Sequence, residues 1–377
     1  MDLVSIVIPT LYRPASLRRA LASARAQNGA PDFAIEIIVV DNSPEGLEAL
    51  THAEIAKELS GRDNSPSGSL PGGAGGGALA APSQSECGDP RRAGPLAVKN
   101  GEGAAGARWV HEPRAGVSNA RNAGVKAARG RWVAFLDDDE EASPGWIAAL
   151  VEVARRTGAD AVFGPVEGRA ERPHAIGGFA PYFSRRLKAP DGADITRRAA
   201  YLGANNSMFD RARCLYGETP FDVRLNQTGG EDSLLLRCLE LAGRRFAWAA
   251  GAEVVEWAPP RRLTWAYQRK RKFLSGQIRV FVRLMAAPRR WDLVALWMTV
   301  GLAQGVVAGV ASSLTRPFSR ETAAGFAVTA CGGLGKIFWQ RPFRPALYGA
   351  CRQISSNPAS VSRIEPYSSV IHPRDTA

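Results

Sequence analysis

Through the first 258 positions apolar residues come in short bursts between polar stretches; beyond them the bursts lengthen into runs. Val4-Ser-Ile-Val-Ile-Pro9 and Ile35 to Val40 have strand length and many β-branched residues, and predict two buried strands. Between them Leu17, Ala20, Leu21 and Ala24 recur at helical spacing behind Arg13-Pro14, with Asn28-Gly29 as the stop. Strand, helix and strand in that order predict a parallel pair joined by a right-handed crossover. Trp132 to Leu136 is a third strand, and it runs straight into Asp137-Asp138-Asp139. Ser118 is placed to cap a helix reaching Arg129, whose face of Ala120, Ala123, Gly124, Ala127 and Ala128 is small enough to pack closely on a sheet. Ser143-Pro144 opens a helix carrying the stripe Ile147, Leu150, Val151 and Ala154. Ala161 to Val166 predicts another strand, residues 167–200 an irregular loop, and Tyr201 to Phe209 extended chain. Gly229-Gly-Glu-Asp232 leads into the helical run of Leu234, Leu235, Cys238 and Leu241; Phe246 to Trp248 and Glu253 to Trp257 are strand-like. Strands alternating with helices in this way point to an α/β fold with a mostly parallel sheet.

The pattern changes at Pro259-Pro260, and charge changes with it. The formal net charge is +12, yet residues 259–377 hold 18 Lys+Arg against 4 Asp+Glu, and residues 1–258 hold 30 against 32. A near-neutral body, 1–258, thus precedes a basic third. Arg269-Lys-Arg-Lys272 with Leu274, Ile278, Phe281, Val282 and Met285 on one face predicts a basic amphipathic helix within 259–290. Such a helix suits an anionic membrane surface, or packs on the body. Leu293 to Thr315 is 23 residues without a charge, and ~20 suffice to cross a bilayer. Thr322 to Gly335 is a shorter, Gly-rich run, so 291–340 reads as a membrane span or hairpin, with 341–377 as a polar tail. The third is too apolar for a nucleic-acid grip, and none is expected. Within the body, residues 60–106 are dominated by Gly, Ala, Pro and Ser and read as a flexible insertion. The five cysteines, Cys87, Cys214, Cys238, Cys331 and Cys351, are scattered and odd in number, which predicts a reducing compartment and no zinc site. Met-Asp-Leu-Val-Ser at the start lacks a basic segment, so no signal peptide is expected.

The candidate chemistry sits at predicted strand ends. Ligands of open α/β sheets bind outside the carboxyl ends of strands, where the strand order reverses. Three adjacent carboxylates repel unless a cation or solvent offsets them, so the triplet reads as a metal-bridged diphosphate site or as an acidic, solvated turn. In extended chain Asp137 and Asp139 share a face, and all-oxygen ligation suits Mg²⁺ or Mn²⁺ together with phosphate oxygens. Asp41 ends the second strand, where an acid commonly accepts hydrogen bonds from a nucleotide, or else closes an Asx-turn. Arg121 can serve a phosphate or a carboxylate. Asn205 and Asn206 are candidates for binding hydroxyls or for a turn. Glu231 and Asp232 either favour a helix N-terminus through its dipole or, behind two glycines, present Asp232 to a ligand as a general base.

Taken together, Val4-Ser-Ile-Val-Ile-Pro-Thr10, Val39-Val-Asp-Asn-Ser43, Ala120-Arg-Asn-Ala-Gly124, Phe135-Leu-Asp-Asp-Asp139 and Gly230-Glu-Asp232 resemble family 2 of the nucleotide-sugar glycosyltransferases, in that family's order and over residues 3–258. Phe135 to Glu141, Gly164-Pro-Val166 and Arg271 to Gln277 are most similar to glycosyltransferases of succinoglycan-type exopolysaccharide assembly. The resemblance implies an A-type, Rossmann-like fold with a mixed, mostly parallel sheet and a C-terminal membrane-associated helical region. It implies inverting, metal-dependent transfer of a single hexose, with glucose expected, from a UDP-sugar to a lipid-linked glycan. The expected location is the cytoplasmic face of the inner membrane, in contact with membrane lipid. On the donor side it implies Pro9, Thr10, Arg13, Asp41, Arg121, Asp137 and Asp138, with Asp139 on the Mg²⁺ or Mn²⁺ ion. Asp232 would be the base that deprotonates the acceptor, with Asn205 and Glu231 beside it. Two departures stand out. Near Val255, where many relatives carry a histidine, this chain has Val255-Glu256; and Gln268-Arg-Lys-Arg271 lacks the tryptophan of processive synthases.

Two other functions compete. A sugar nucleotidyltransferase shares the sheet and the acidic site, but it needs a Gly-rich loop after the first strand, where this chain has Thr10-Leu-Tyr-Arg13. A non-catalytic membrane-bound scaffold of the same fold has no need of acids at positions 41, 137, 139 and 232.

Overall fold

The computed structural model describes residues 2–27, 33–46, 101–103, 106–172 and 176–340. The helix stop at Asn28-Gly29, most of the 60–106 insertion and the 341–377 tail lie outside the described residues. Strand β1 (Asp2–Thr10) pairs in parallel with β2 (Phe33–Asp41) on one side and β5 (Trp132–Phe135) on the other. β2 continues in parallel to β4 (Ala107–His111). At that edge β3 (Gly101–Gly103) adds an antiparallel strand, so the end of the predicted insertion belongs to the sheet. Beyond β5 comes antiparallel β9 (Ser207–Asp210), then β7 (Ala161–Phe163) and β10 (Phe246–Trp248). The eight-stranded order is therefore 10-7-9-5-1-2-4-3. This mixed, mostly parallel α/β sheet is the expected fold class. Its order reverses at β1, which sets the carboxyl ends of β1, β2 and β5 around one crevice.

Helices cover both faces. Helix α1 (Pro14–Arg25) buries Leu17, Ala20, Leu21 and Ala24, the residues its period predicts, and packs with α3 (Trp146–Thr157) against one face. On the other face lie α2 (Val117–Ala127) and α4 (Glu231–Leu241). α2 comes close because Gly124 has no side chain: a Cβ there would sit 2.3 Å from Val7 Cγ1. The helix starts differ from expectation. α2 begins behind Gly116, and Ser118 donates its hydroxyl to Asp222 O while Asn226 Oδ1 accepts from the amides of Ser118 and Asn119. A side chain from 107 residues away thus serves the unpaired N–H groups of the first turn. α3 begins behind Gly145, two residues after the predicted Ser143-Pro144 start.

A second sheet crosses the mouth of the crevice. β11 (Val254–Ala258) pairs antiparallel with β6 (Glu140–Ala142) and parallel with β8 (Val166–Ala170). β8 lies in the stretch expected to be irregular. Chain partners more than eighty residues apart make it a strand, and they leave no mark on its own period. Last come α5 (Trp265–Ala286), α6 (Trp291–Thr315) and α7 (Arg320–Ile337). The apolar stripe of α5 does not face outward to a membrane. Ile278, Phe281, Val282 and Met285 pack on Leu234 and Cys238 of α4. The exposed apolar surface is on α6, at Leu296, Val300, Leu302, Val306, Val307, Val310 and Leu314. Among the described residues α6 is the one helix long and apolar enough to cross a membrane.

Candidate active site

The parallel register sets Thr10 beside Asp41, so β1 and β2 end together, and Val7 beside Phe135, so β5 ends short of them and its acidic turn follows alongside the end of β1. Pro9 is half-buried, next to last in β1 before Thr10. Asp41 is 2% exposed, and its Oδ1 accepts from the amide (3.0 Å) and the hydroxyl (2.6 Å) of Ser43. The Asx-turn is therefore made, at the edge of the crevice. Thr10 donates its hydroxyl to Asp138 Oδ2 at 2.9 Å, which ties the ends of β1 and β5 together.

The acidic triplet forms a turn, not the extended segment expected. Glu140 N donates to Asp137 O at 3.0 Å, and Asp137 N donates to Glu140 Oε2 at 2.9 Å. The turn splits the three acids. Asp138 and Asp139 both accept from Arg13 Nη1, at 2.9 and 3.1 Å, whereas Asp137 turns to Arg121 Nη2 at 3.4 Å. The alternation argument for Asp137 and Asp139 does not hold, because a turn has no period of two. Burial raises Asp138 to about 6, against the pull of Arg13.

Arg121 joins the two halves of the site. It is buried, it ion-pairs with Glu231, and it faces Asp137. Three carboxylates, Asp137, Glu231 and Asp232, surround this one guanidinium and outweigh its burial, raising its pKa. Glu231 rises to about 7 through burial and the charge of Asp232, with Arg121 opposing. Asp232 lies beside Gly203 and Asn205: from the Cβ position of Gly203, Asp232 Oδ2 is 3.1 Å away and Asn205 Oδ1 2.7 Å. Asn205 donates to Glu140 Oε1 at 2.8 Å and accepts from Arg185 Nη1 at 3.1 Å. Burial and Asp137 push Glu140 well above the usual carboxylate range. Asp137, Arg121, Glu231, Asp232, Asn205 and Glu140 thus close a ring about the crevice.

Several singled-out residues are buried in the framework of the site and have little open surface. Glu231 is 4% exposed and its carboxylate holds Arg121, so it cannot meet an acceptor where it lies. Arg121 and Asp138 are likewise buried and already paired. Asn206 is a scaffold residue: its Oδ1 accepts from Trp146 Nε1 at 2.7 Å, and its Nδ2 donates to Pro165 O and Ala252 O. Its φ of 44° is a left-handed value that asparagine tolerates better than most side chains. Asp137, with its side chain 34% exposed, and Arg13, 31% exposed, remain open to a ligand.

Two residues escape the sequence, Arg185 and Arg262; Glu256, which the sequence marks as the departure from the histidine of relatives, lies with them. Arg185, in the supposed loop, donates to Asn205 O, Asn206 O and Gly164 O. Glu256 is pushed up to about 7 by burial; Arg271 and Arg262 oppose, and Asp139 adds to the rise. Arg262 follows β11 on the short turn Pro260–Arg262; its Nη1 donates to Asp139 Oδ2 at 2.9 Å and lies 3.8 Å from Glu256 Oε1. Pro259-Pro260, which folds the chain back over the strand end, was the one signal for Arg262.

Among the described residues no three His, Cys, Asp or Glu side chains are grouped to hold a metal ion by themselves. The open carboxylate of Asp137 and that of Asp139 fit a smaller share. Mg²⁺ bound with a nucleotide takes one or two carboxylates from the protein and the rest from phosphates and water.

Comparison with known proteins follows the same outline. Residues 102–198, which span β3 to β8, match the family Glycosyl transferase family 2. Succinoglycan biosynthesis protein ExoM of Rhizobium meliloti (strain 1021) is 37% identical over 173 residues, 45% of this chain and 53% of that protein. ExoO, from the same organism, is 30% identical over 138 residues, 35% of this chain and 39% of its own length. The matched stretches span about half, or less, of these curated relatives. Among solved structures, S. aureus TarS 1-349 in complex with UDP covers 89% of this chain and 90% of its own, at a TM-score of 0.45 and 13% identity. The acid-ended β5 and the Arg121 helix therefore lie within the stretch that matches Glycosyl transferase family 2, in a chain similar over part of its length to the succinoglycan biosynthesis proteins.

Proposed function

We propose that the chain is an inverting hexosyltransferase that moves one sugar, glucose by preference, from a UDP-sugar to a lipid-linked glycan at the cytoplasmic face of the inner membrane. One observation carries this: Arg121 bridges the β5 acid Asp137 and the first turn of α4, which holds Asp232 close enough to Asp137 and Arg121 for their charges to act on one another. In this reading the uridine lies at the ends of β1 and β2, against Pro9, Thr10 and Asp41. Asp139 and Asp137 would hold the Mg²⁺ or Mn²⁺ ion, which would supply the positive charge that a departing UDP needs. Asp232 takes the proton of the acceptor hydroxyl as it attacks, a role worth ~10²–10⁴-fold. A single displacement from the face opposite the leaving group inverts the anomeric carbon. Asn205, beside Asp232, is the acceptor contact.

The exposed apolar face of α6, together with the basic residues of α5, supports action at an anionic membrane. The test is incubation of membranes carrying the chain with labelled UDP-sugars and lipid extract. Label should enter the lipid fraction from one UDP-hexose, with one residue added and the anomer inverted. Release of pyrophosphate from a nucleoside triphosphate, or retention of configuration, would overturn the proposal.

A further inference from the structure

Helices α5, α6 and α7 gather cations that the transfer chemistry does not use. Lys336, in the last turn of α7, is 5% exposed, and its Nζ donates to Gln304 Oε1 of α6. Gln304 is held from its other end, where Nε2 donates to Thr329 O at 2.7 Å. Lys272 of α5 comes to the same place: a Cβ on Gly332 would lie 3.1 Å from Lys272 Cγ and 3.3 Å from Gln304 Nε2. Arg279 follows on α5, its Cζ 4.7 Å from the ring centre of the exposed Tyr201. The charges that act on Lys336 are those of Arg279 and Lys272, and those that act on Lys272 are Arg279 and Arg271. All are positive, and no carboxylate among the described residues offsets either lysine. Like charges gathered where water is partly excluded cost energy unless an anion answers them.

The surface of α6 indicates where that anion comes from. Within a turn of Gln304, Leu302, Val306 and Val307 are exposed, and Arg283 of α5 lies over Trp297 of α6, 4.3 Å from the ring centre. Apolar surface edged by tryptophan and arginine suits the headgroup level of a bilayer. Resting on the membrane reading above, we propose that Lys272, Arg279 and Lys336 form a binding site for the phosphate of a membrane lipid, a monoester or a diphosphate, and so hold a lipid-linked acceptor by its head. A phosphate monoester carries about −1.5 to −2 charge near neutral pH and offers three acceptor oxygens. That suits a group of cations with no acid of their own; a phosphodiester lacks the second ionisation.

The experiment measures binding of the full-length protein to vesicles of phosphatidylcholine alone, with phosphatidylglycerol, or with phosphatidic acid at matched surface charge. The unaltered protein should prefer phosphatidic acid to phosphatidylglycerol, and Lys336→Met and Lys272→Gln should each reduce that preference roughly 5-fold. Binding to phosphatidylcholine should not change. Lys336→Met should unfold at no lower denaturant concentration, because it removes a buried charge that has no carboxylate beside it. A merely structural lysine would lower the midpoint and leave the preference alone. Lys272 is exposed, so survival of the preference in Lys272→Gln overturns the inference whatever becomes of Lys336→Met. Equal binding of phosphatidic acid and phosphatidylglycerol by the unaltered protein overturns it too, and leaves the membrane reading standing. So does calorimetry in which free inorganic pyrophosphate binds as tightly as the phosphatidic acid vesicles, since no lipid is then required. If the unaltered protein binds no vesicle at all, the membrane reading fails and this inference fails with it.

Discussion

The crevice and the C-terminal helices hold themselves together by opposite means. In the crevice, charged side chains meet at a distance from the backbone: Arg121 between Glu231 and Asp137, Arg13 across Asp138 and Asp139. In the helical trio it is the backbones that meet. A Cβ on Gly335 would fall 1.9 Å from Phe273 O, one on Gly276 2.2 Å from Gly332 O, and one on Gly301 2.7 Å from Gly333 O. A side-chain network fails by losing a charge, with the chain path intact. A backbone contact fails by gaining volume, with every charge intact. Chemistry and architecture should therefore be separable by mutation.

The largest expected effect tests the first half. Asp232→Asn should lower transfer by ~10²–10⁴-fold with UDP binding kept, and Asp139→Ala should lower both transfer and Mn²⁺-dependent UDP binding. Neither should alter the far-ultraviolet circular dichroism or unfold the helical trio. Retained turnover in either variant removes that residue from its role. The next effect tests the other half. Gly335→Leu has to force α7 off α5 and should cost about 1–3 kcal/mol in denaturant unfolding, with UDP affinity unchanged. A variant that keeps its stability would mean that the close approach is not needed.

Asn206→Ala probes the seam, since this residue, just before β9, joins α3 to the chain ahead of β8 and of β11. It strands Trp146 Nε1 and loses two bonds to carbonyls, at a cost of about 1–3 kcal/mol. Denaturant midpoints for Asn206→Ala and Asn206→Asp compare the loss of the whole amide with a change in its donor end alone. Equal midpoints for Asn206→Ala and the unaltered protein would show that the three bonds add nothing.

The same contrast explains what could be read from the sequence. Local patterns announced β1, β2, β5, α1 and the α6 run, because each follows from its own period or length. The carboxylates also stood out, being grouped in the chain. What stayed hidden depends on partners far away. Asp137 to Asp139 turn because Glu140 folds back and β6 must meet β11, over a hundred residues on. The apolar stripe of α5 is visible in the sequence, but not its destination, since an amphipathic face reads alike toward lipid or toward α4. Arg262 belongs to the site through a proline turn, and one arginine among the 48 Lys+Arg of this chain carries no label.

The smallest effect asks whether the charge ring is felt in stability at all. Glu231 has its pKa raised from the usual value to about 7. Between its ordinary value in the unfolded chain and about 7, the folded protein holds the proton that the unfolded chain has lost. Its contribution is therefore complete at low pH and is lost as pH rises through about 7. The urea midpoint should fall modestly from pH 5 to pH 8. Glu231→Gln cannot lose a proton but can still accept from Arg121, so its slope should be flatter. Part of the slope should remain, because Asp138 at about 6 and Glu256 at about 7 act with the same sign. Gly335→Leu should be less stable at every pH yet keep the unaltered slope, since its fault is one of volume. If Glu231→Gln instead steepens the slope, the proton resides elsewhere around Arg121, and Asp137, which burial also pushes above the usual carboxylate range, is the one to examine next.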